Sequence, residues 1–340
     1  MTENAYGIEH WSSPAWLAGA RTWLDERLAA AGLERTGDVD QAHLAPWSTV
    51  LCAPTSGGRV WLKAEGPAQA FEVGLYELLS MVAPGDVLTP IAIDARRAWV
   101  LLPDGGATLA EQLEGDALAQ AFADVLPRYA ALQRAVAPHA ERLLELSVCD
   151  MRAAAIPRRF EQALEVVTEY VEAHGGDEDR RDLERAAALR PQVADWARRL
   201  AGAPGVATID HNDLHARNVL LRDDRATFFD WGDSVVAHPF SSMLVTLTIL
   251  QARVLGECEL DDPRLLAVRD AYLASFADLA AHDELVETLE LACRLAKVGR
   301  ALTWQWVIDA LRPQDVRDEW RRAPLACLRS LADDSYLGGP

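Results

Sequence analysis

His211-Asn212-Asp213-Leu214-His215-Ala216-Arg217-Asn218, followed shortly by Phe228-Phe229-Asp230-Trp231, decides how this chain is read. Asn218-Val219-Leu220-Leu221 and Ala226-Thr227-Phe228-Phe229-Asp230 are apolar, β-prone runs. Between them lies Arg222-Asp223-Asp224-Arg225, whose paired Asp residues suit a tight turn. The pattern predicts a hairpin. Folding at Asp223-Asp224 brings its open ends together, so Asn218 and Asp230 should face one small volume and could share one hard, oxygen-loving cation. Asp213 lies just outside the first strand, close to that volume. Taken singly, Asp213 or Asp230 reads as an ordinary turn cap; the set at this spacing points to a site.

A chain of 340 residues can bury a large core and form one two-lobed domain or two domains. Half of the residues are apolar and a quarter are charged, as in ordinary globular proteins. No apolar run approaches the ~20 residues needed to cross a bilayer. Val235 to Leu250 is interrupted by His238, Pro239 and Ser241-Ser242. The N-terminus lacks a basic-then-apolar signal pattern, which argues against export. Cys52, Cys149, Cys258, Cys293 and Cys327 are odd in number and form no CxxC. They suggest neither a disulfide framework nor a zinc site, and a reducing cytoplasm is the simplest setting. The net charge of −19 argues against a nucleic-acid partner, which needs a basic stripe. It is compatible with a cationic small substrate, although runs such as Asp177-Glu178-Asp179 read equally as solvated loops.

Ser13-Pro14 looks like an N-cap and first helical position, with Trp16, Leu17, Ala20, Trp23, Leu24 and Leu28 following at helical spacing up to Gly32. Short strands are expected near Asp38 to His43, Ser48 to Ala53 and Arg59 to Ala64, then a helix from Ala68 to Met81. Two more strands, around Ile91 to Ile93 and Ala98 to Leu102, lead into the breaker cluster Pro103-Asp104-Gly105-Gly106. Beyond it the pattern is helical over Thr108 to Leu146, Arg152 to His174, Glu178 to Leu200, Pro239 to Leu255, Pro263 to Ala280 and Glu284 to Leu311.

Of 33 basic residues only Lys63 and Lys297 are lysines. Lys63 ends the strand Arg59-Val60-Trp61-Leu62, and its compact charge suits bridging phosphate oxygens. Glu72 falls in the inward stripe with Leu75 and Leu79, where a carboxylate needs a cation. Lys297, between Arg294 and Arg300, reads as part of a solvated helix face.

These residues resemble the protein-kinase pattern H-R-D-L-x-x-x-N and a later Asp-Phe-Gly, with Asn212 for the Arg and Trp231-Gly232 for Phe-Gly. With His215 and Trp231 added, the chain resembles the aminoglycoside phosphotransferase and choline kinase-like branch more closely. That branch shows H-x-D-L-H-x-x-N and then D-W or D-F, matched here by His211, Asp213, Leu214, His215, Asn218, Asp230 and Trp231. The resemblance runs from about Thr36 to Leu255. It implies an α+β, protein-kinase-like bilobal fold, with a small antiparallel β lobe carrying a helix and a larger, mainly helical lobe. Residues 1–102 would form the N-terminal helix and nucleotide-binding lobe, 103–106 the hinge, and 107–340 the lobe with catalytic loop and acceptor site.

The same resemblance implies ATP or GTP clamped between the lobes, its base bonded to the hinge near Leu102 to Asp104, where Pro103 has no N–H to give. Lys63, paired with Glu72, would hold phosphate, Asp213 would orient the acceptor hydroxyl and take its proton, and Asn218 and Asp230 would bind Mg2+. The turn Leu44-Ala45-Pro46-Trp47-Ser48-Thr49 has no glycine. Ser48 and Thr49 could contact phosphate there or simply begin a strand. His211 and His215 are expected to organise the loop, and Asp233 to hold its backbone or cap a helix. For the acceptor, Asp150, Arg152, Glu287 and Asp309 are candidates. The expected activity is an O-phosphotransferase acting on a hydroxyl of an aminoglycoside, sugar or amino alcohol. A nucleotide-binding, pseudokinase-like module without turnover is the second reading, and a protein kinase fits less well because no Ala-Pro-Glu segment follows Asp230.

Overall fold

The computed structural model describes residues 6–223, 225–309, 311 and 316–338. Helix α1 (Ile8–Trp11) is followed by α2 (Pro14–Ala30), which Ser13 caps by accepting from Trp16 N–H at 3.2 Å. Strands β1 (Asp40–Leu44), β2 (Ser48–Thr55) and β3 (Gly58–Glu65) come next, then α3 (Phe71–Val82), β4 (Ala92–Asp94) and β5 (Trp99–Pro103). The strands form one antiparallel sheet in the order β1-β2-β3-β5-β4. Period-two alternation decides what each face does. On β3, Val60, Leu62 and Ala64 join Trp16, Trp23 and Leu24 of α2 in one apolar cluster. Lys63 and Glu65 therefore share the opposite face.

The remaining helices are α4 (Leu109–Gln112), α5 (Gly115–Val136), α6 (Ala140–Glu145), α7 (Ile156–His174), α8 (Asp177–Ala188), α9 (Arg190–Ala201), α10 (Met243–Ile249), α11 (Pro263–Ala274), α12 (His282–Asp309) and α13 (Asp318–Arg329). They surround a second core into which Val219, Phe228 and Trp231 also pack. The molecule is α+β, an antiparallel sheet lobe on a helical lobe, as anticipated.

Three expected helices are broken. Thr108 to Leu146 divides because Gly115 takes φ 54 and Pro138 sits in a 3-10 turn. Glu178 to Leu200 divides where Pro191 starts α9, and Pro239 to Leu255 is a 3-10 turn, α10 and a π turn over Leu250–Val254. The last expected helix, Glu284 to Leu311, includes residue 310, outside the described residues.

Lys297 is a correction. It is 1% exposed, because α13 and the C-terminal segment cover this side of α12. Its Nζ donates to the carbonyls of Ser330 at 2.8 Å, Leu337 at 3.0 Å and Ser335 at 3.3 Å. It ties the end of the chain down instead of facing water.

Near the predicted hairpin, β6 (Cys149–Asp150), β7 (Thr208–Asp210) and β10 (Val235–Ala237) make a small sheet with β10 in the middle. Strands β8 (Val219–Arg222) and β9 (Arg225–Phe228) form the hairpin itself. Asp223 turns at φ 50, whereas Asp224 lies outside the described residues. Phe229 N–H donates to Asn218 O at 3.2 Å, which carries the ladder to the hairpin mouth.

Candidate active site

At that mouth, Asn218 and Asp230 line one cleft of about 610 Å3 together with Lys63, Glu65 and Asp213. Asp230 sits at φ 64, a backbone region that short polar side chains tolerate best. Its N–H donates to Tyr76 Oη at 3.1 Å, and the next N–H, of Trp231, donates to Glu72 Oε1 at 2.8 Å. Helix α3 thus fixes the segment after the hairpin. His211 stacks on Trp231 with ring centroids 4.6 Å apart, and its Nε2 lies 2.9 Å from Phe229 O.

Lys63 Nζ is 2.6 Å from Glu72 Oε2, from Asp230 Oδ1 and from Glu65 Oε1. Glu72 is fully buried, so its expected need for a cation is met. Burial opposes the Lys63 charge, but Asp230, Glu65 and Glu72 together hold the pKa well above that of an ordinary lysine. Glu65 was not anticipated. Burial, with Glu72 beside it, pushes its carboxyl well above the usual range despite Lys63. Three carboxyl groups around one ammonium make the cluster short of positive charge, which suits the arrival of a proton or a cation.

Asp213 Oδ2 accepts from Asn218 Nδ2 at 3.1 Å and lies 3.3 Å from His215 Nε2, while Oδ1 stands 3.8 Å from Arg300 Nη1. Burial raises its pKa, but His215 and Arg300 outweigh that and hold it well below the usual carboxylate range. Arg300, on α12, also donates to Asn212 O at 2.7 Å and to Asp233 Oδ2 at 3.1 Å. Burial and the neighbouring Asp213 push the Asp233 carboxyl up to about 6. Asn212 adopts φ 58 and gives its amide to Asp233 O and Thr303 Oγ1, each at 3.0 Å.

Asp210 anchors this turn, accepting Asn212 N–H at 2.8 Å and Ser242 Oγ at 2.7 Å. Burial pushes its carboxyl from 3.8 up to about 6. The folded state therefore favours the protonated form. The resulting stability is fully present below about pH 4 and lost as pH rises through about 6. Asp210→Asn keeps an oxygen acceptor and cannot ionise. Between pH 5 and pH 8, thermal melts should move in the variant's favour relative to the parent by about 2 °C or more; a constant gap would contradict this account.

The donor set can be tested for Mg2+. Asn218 spends its amide nitrogen on Asp213, at 2.9 Å from the backbone O and 3.1 Å from Oδ2, leaving its amide oxygen available. Asp230 gives one oxygen to Lys63, and its side chain is 47% exposed. Among the described residues no group of three His, Cys, Asp or Glu could hold a metal. Two oxygen ligands fit Mg2+, which keeps waters and takes its remaining ligands from phosphates.

Not every expected site residue reaches the cleft. Ser48 lines it, but Thr49 is fully buried, with its hydroxyl bonded to His43 O at 2.8 Å and Gln41 Nε2 at 2.9 Å. Its side chain lies on the sheet face opposite Ser48 and Val50, which line the cleft. Gly66 N–H donates to Trp47 O at 2.7 Å, and a Cβ at Gly66 would lie 2.7 Å from that oxygen. Gly66 is therefore needed where the chain after β3 approaches the β1–β2 turn. At the hinge, Leu102 is buried opposite Trp61. Asp104 spends its N–H on Arg59 O at 3.0 Å and its carboxylate on Trp61 at 2.9 Å and Arg222 at 3.0 Å. Among the described residues, the first N–H after Pro103 without a hydrogen-bond partner is accordingly that of Gly105. Asp150 lines a neighbouring cavity and is paired with Arg152, which also bonds Glu141. Glu287 is exposed near the start of α12, about 24 Å along the helix from Thr303. Asp309 is exposed too, and neither lines the cleft.

The profile of the phosphotransferase enzyme family (APH) matches residues 60–285. The chain belongs to that family. As an APH-family phosphotransferase it shares its fold with solved enzymes of low sequence identity. The macrolide 2'-phosphotransferase MphH of Brachybacterium faecium is 20% identical, with 90% of this chain and 97% of that one covered at a TM-score of 0.56. Choline kinase from Cryptosporidium parvum is 13% identical, covering 86% and 88% at 0.59. Plasmodium vivax ethanolamine kinase is 10% identical, covering 97% and 91% at 0.64. No curated protein matches. Among the described residues of the phosphotransferase, no helix is long and apolar enough to cross a membrane.

Proposed function

We propose that this phosphotransferase moves the γ-phosphoryl group of ATP or GTP to a hydroxyl of a small molecule, with Asp213 as base and Asn218 and Asp230 holding Mg2+. The observation that carries the reading is the meeting of Lys63 and Asp230 with the Asp213–Asn218 pair in one cleft, with buried Glu72 bonded to Lys63 behind it. Phosphoryl transfer needs positioning and charge neutralisation more than covalent chemistry. Lys63, released from part of its carboxylate cluster, would bind phosphate oxygens, and Ser48 lies near enough to contribute. Bound Mg2+ would neutralise the charge on the transferring phosphate.

Asp213 Oδ2 is committed to Asn218 and His215, so Oδ1 is the atom left to orient the acceptor hydroxyl and receive its proton. Arg300 holds the same loop through Asn212 O, keeping that oxygen in place. The hinge offers Gly105 N–H to the base.

The test is thermal stabilisation by ATP and GTP, with and without Mg2+, followed by ADP or GDP release against sugars, amino alcohols, aminoglycosides and hydroxy acids. Nucleotide stabilisation that depends on Mg2+, with turnover on one acceptor class, is expected. Absence of any nucleotide response would sink the reading.

A further inference from the structure

A second cavity, of about 280 Å3, continues from the cleft past Asp213, His215, Arg300 and Trp304. Beyond them its wall is the stripe Val245, Thr248, Ile249 and Ala252, which runs along α10 at i, i+3, i+4 and i+7 into the π turn. Leu244 and Cys327 add apolar surface, and the C-terminal segment closes one side, where Gly338 N–H donates to Thr248 Oγ1 at 3.1 Å. The charge of this wall runs opposite to that of the whole molecule. In a chain of net charge −19, Asp213 is the one acidic residue lining this cavity among the described residues, against Arg253, Lys297 and Arg300.

These cations are not equivalent. Lys297 donates to three backbone carbonyls, and Arg300 is held by Asn212, Asp233 and Asp213. Arg253, carried by the π turn, is exposed and has no acidic partner among the described residues. The buried polar atoms of the wall without a partner, Trp304 Nε1 and Arg300 Nε, are both donors. Among the described residues, an ammonium-bearing acceptor would find here neither a spare carboxylate nor an unpartnered buried acceptor. An anion would find an unpaired guanidinium at the end of an apolar stripe.

We infer that the acceptor is an aliphatic hydroxy acid, its hydrophobic body seated on Val245, Ile249 and Ala252, its carboxylate on Arg253 and its hydroxyl at Asp213. This rests on the phosphotransferase reading and narrows it, and it turns away from the cationic acceptor that the overall acidity suggested.

The experiment uses the full chain with Mg2+ and ATP and three size-matched series: short aliphatic hydroxycarboxylates, their methyl esters and the corresponding amino alcohols. ADP release and the melting shift in the presence of a non-hydrolysable ATP analogue are read for each. The carboxylates should exceed their esters in kcat/KM by about tenfold or more, and the amino alcohols should be poorest. Arg253→Glu, at an exposed position, should raise KM for carboxylates about tenfold, move that for esters by less than about twofold, and improve the amino alcohols. The inference is overturned if amino alcohols are preferred, if carboxylate and ester are equal, or if Arg253→Glu leaves their ratio unchanged. It is also overturned if ATP stabilises the protein yet no hydroxy acid binds or reacts. A protein indifferent to Mg2+ and ATP would instead remove the phosphotransferase reading, and this inference with it.

Discussion

Asp213→Asn should lower kcat by about a hundred- to ten-thousandfold, the range a positioned general base contributes, while KM for the nucleotide stays within about twofold. Asn keeps an oxygen at the Oδ2 position to accept from Asn218, and its NH2 takes the Oδ1 position, 3.8 Å from Arg300 and outside hydrogen-bond reach, so the loop should hold its shape. What it loses is the charge and the basic lone pair. His215 and Arg300 hold Asp213 well below the ordinary carboxylate range, so the carboxylate form is favoured at neutral pH. Its ionisation therefore adds no acid limb to the pH dependence of kcat/KM down to about pH 5. A base so weak takes the proton late, which suits a loose phosphoryl-transfer transition state in which the hydroxyl is still largely protonated. Steady-state kinetics with melting curves in Mg2+ and ATP checks both halves. Unchanged kcat would remove Asp213 as the base, and lost nucleotide stabilisation would mean that the substitution had disturbed the cleft instead.

The legible parts of this site are those carried by sequence-local geometry. The hairpin between Asn218 and Asp230 follows from two β-prone runs and one turn, and Lys63 and Glu72 follow from strand and helix periodicity. Glu65 was within reach of the same argument, since alternation puts it on the face of Lys63. That it would be drawn onto the Lys63 ammonium depends on how α3 closes over the sheet, which no local pattern states. Arg300 and Lys297 fail for another reason. Cationic residues spaced along a helix look the same whether that face meets water or a neighbouring helix, and only the packing of α13 and the C-terminal segment against α12 decides it. The Thr49 hydroxyl and the Asp104 N–H depend on hydrogen bonds to His43 and Arg59, across the sheet from each. A residue type can be read from sequence, but whether its donor is already spent cannot.

Asp230→Ala should abolish the Mg2+-dependent part of ATP stabilisation and cut kcat by about a thousandfold or more, since a metal's charge stabilisation is worth several kcal/mol. The charge balance around Lys63 sets this outcome. With Glu65, Glu72 and Asp230 all within 2.6 Å of Nζ, the cluster holds more carboxyl groups than one ammonium balances. Asp230 is the most exposed of the three, and its pKa is lowered because Lys63 outweighs the effect of burial. It can therefore turn from Lys63 to a metal ion without stranding a buried charge, whereas Glu72 cannot. Removing Asp230 leaves Lys63 with two carboxyl partners, so the fold should survive and ATP alone should still bind through Lys63. The signature is specific: melting curves with ATP become the same with and without Mg2+, while the metal-free shift persists. If the Mg2+ increment survives in Asp230→Ala but vanishes in Asn218→Ala, the metal sits on the catalytic-loop side of the hairpin mouth and Asp230 serves only to position Lys63.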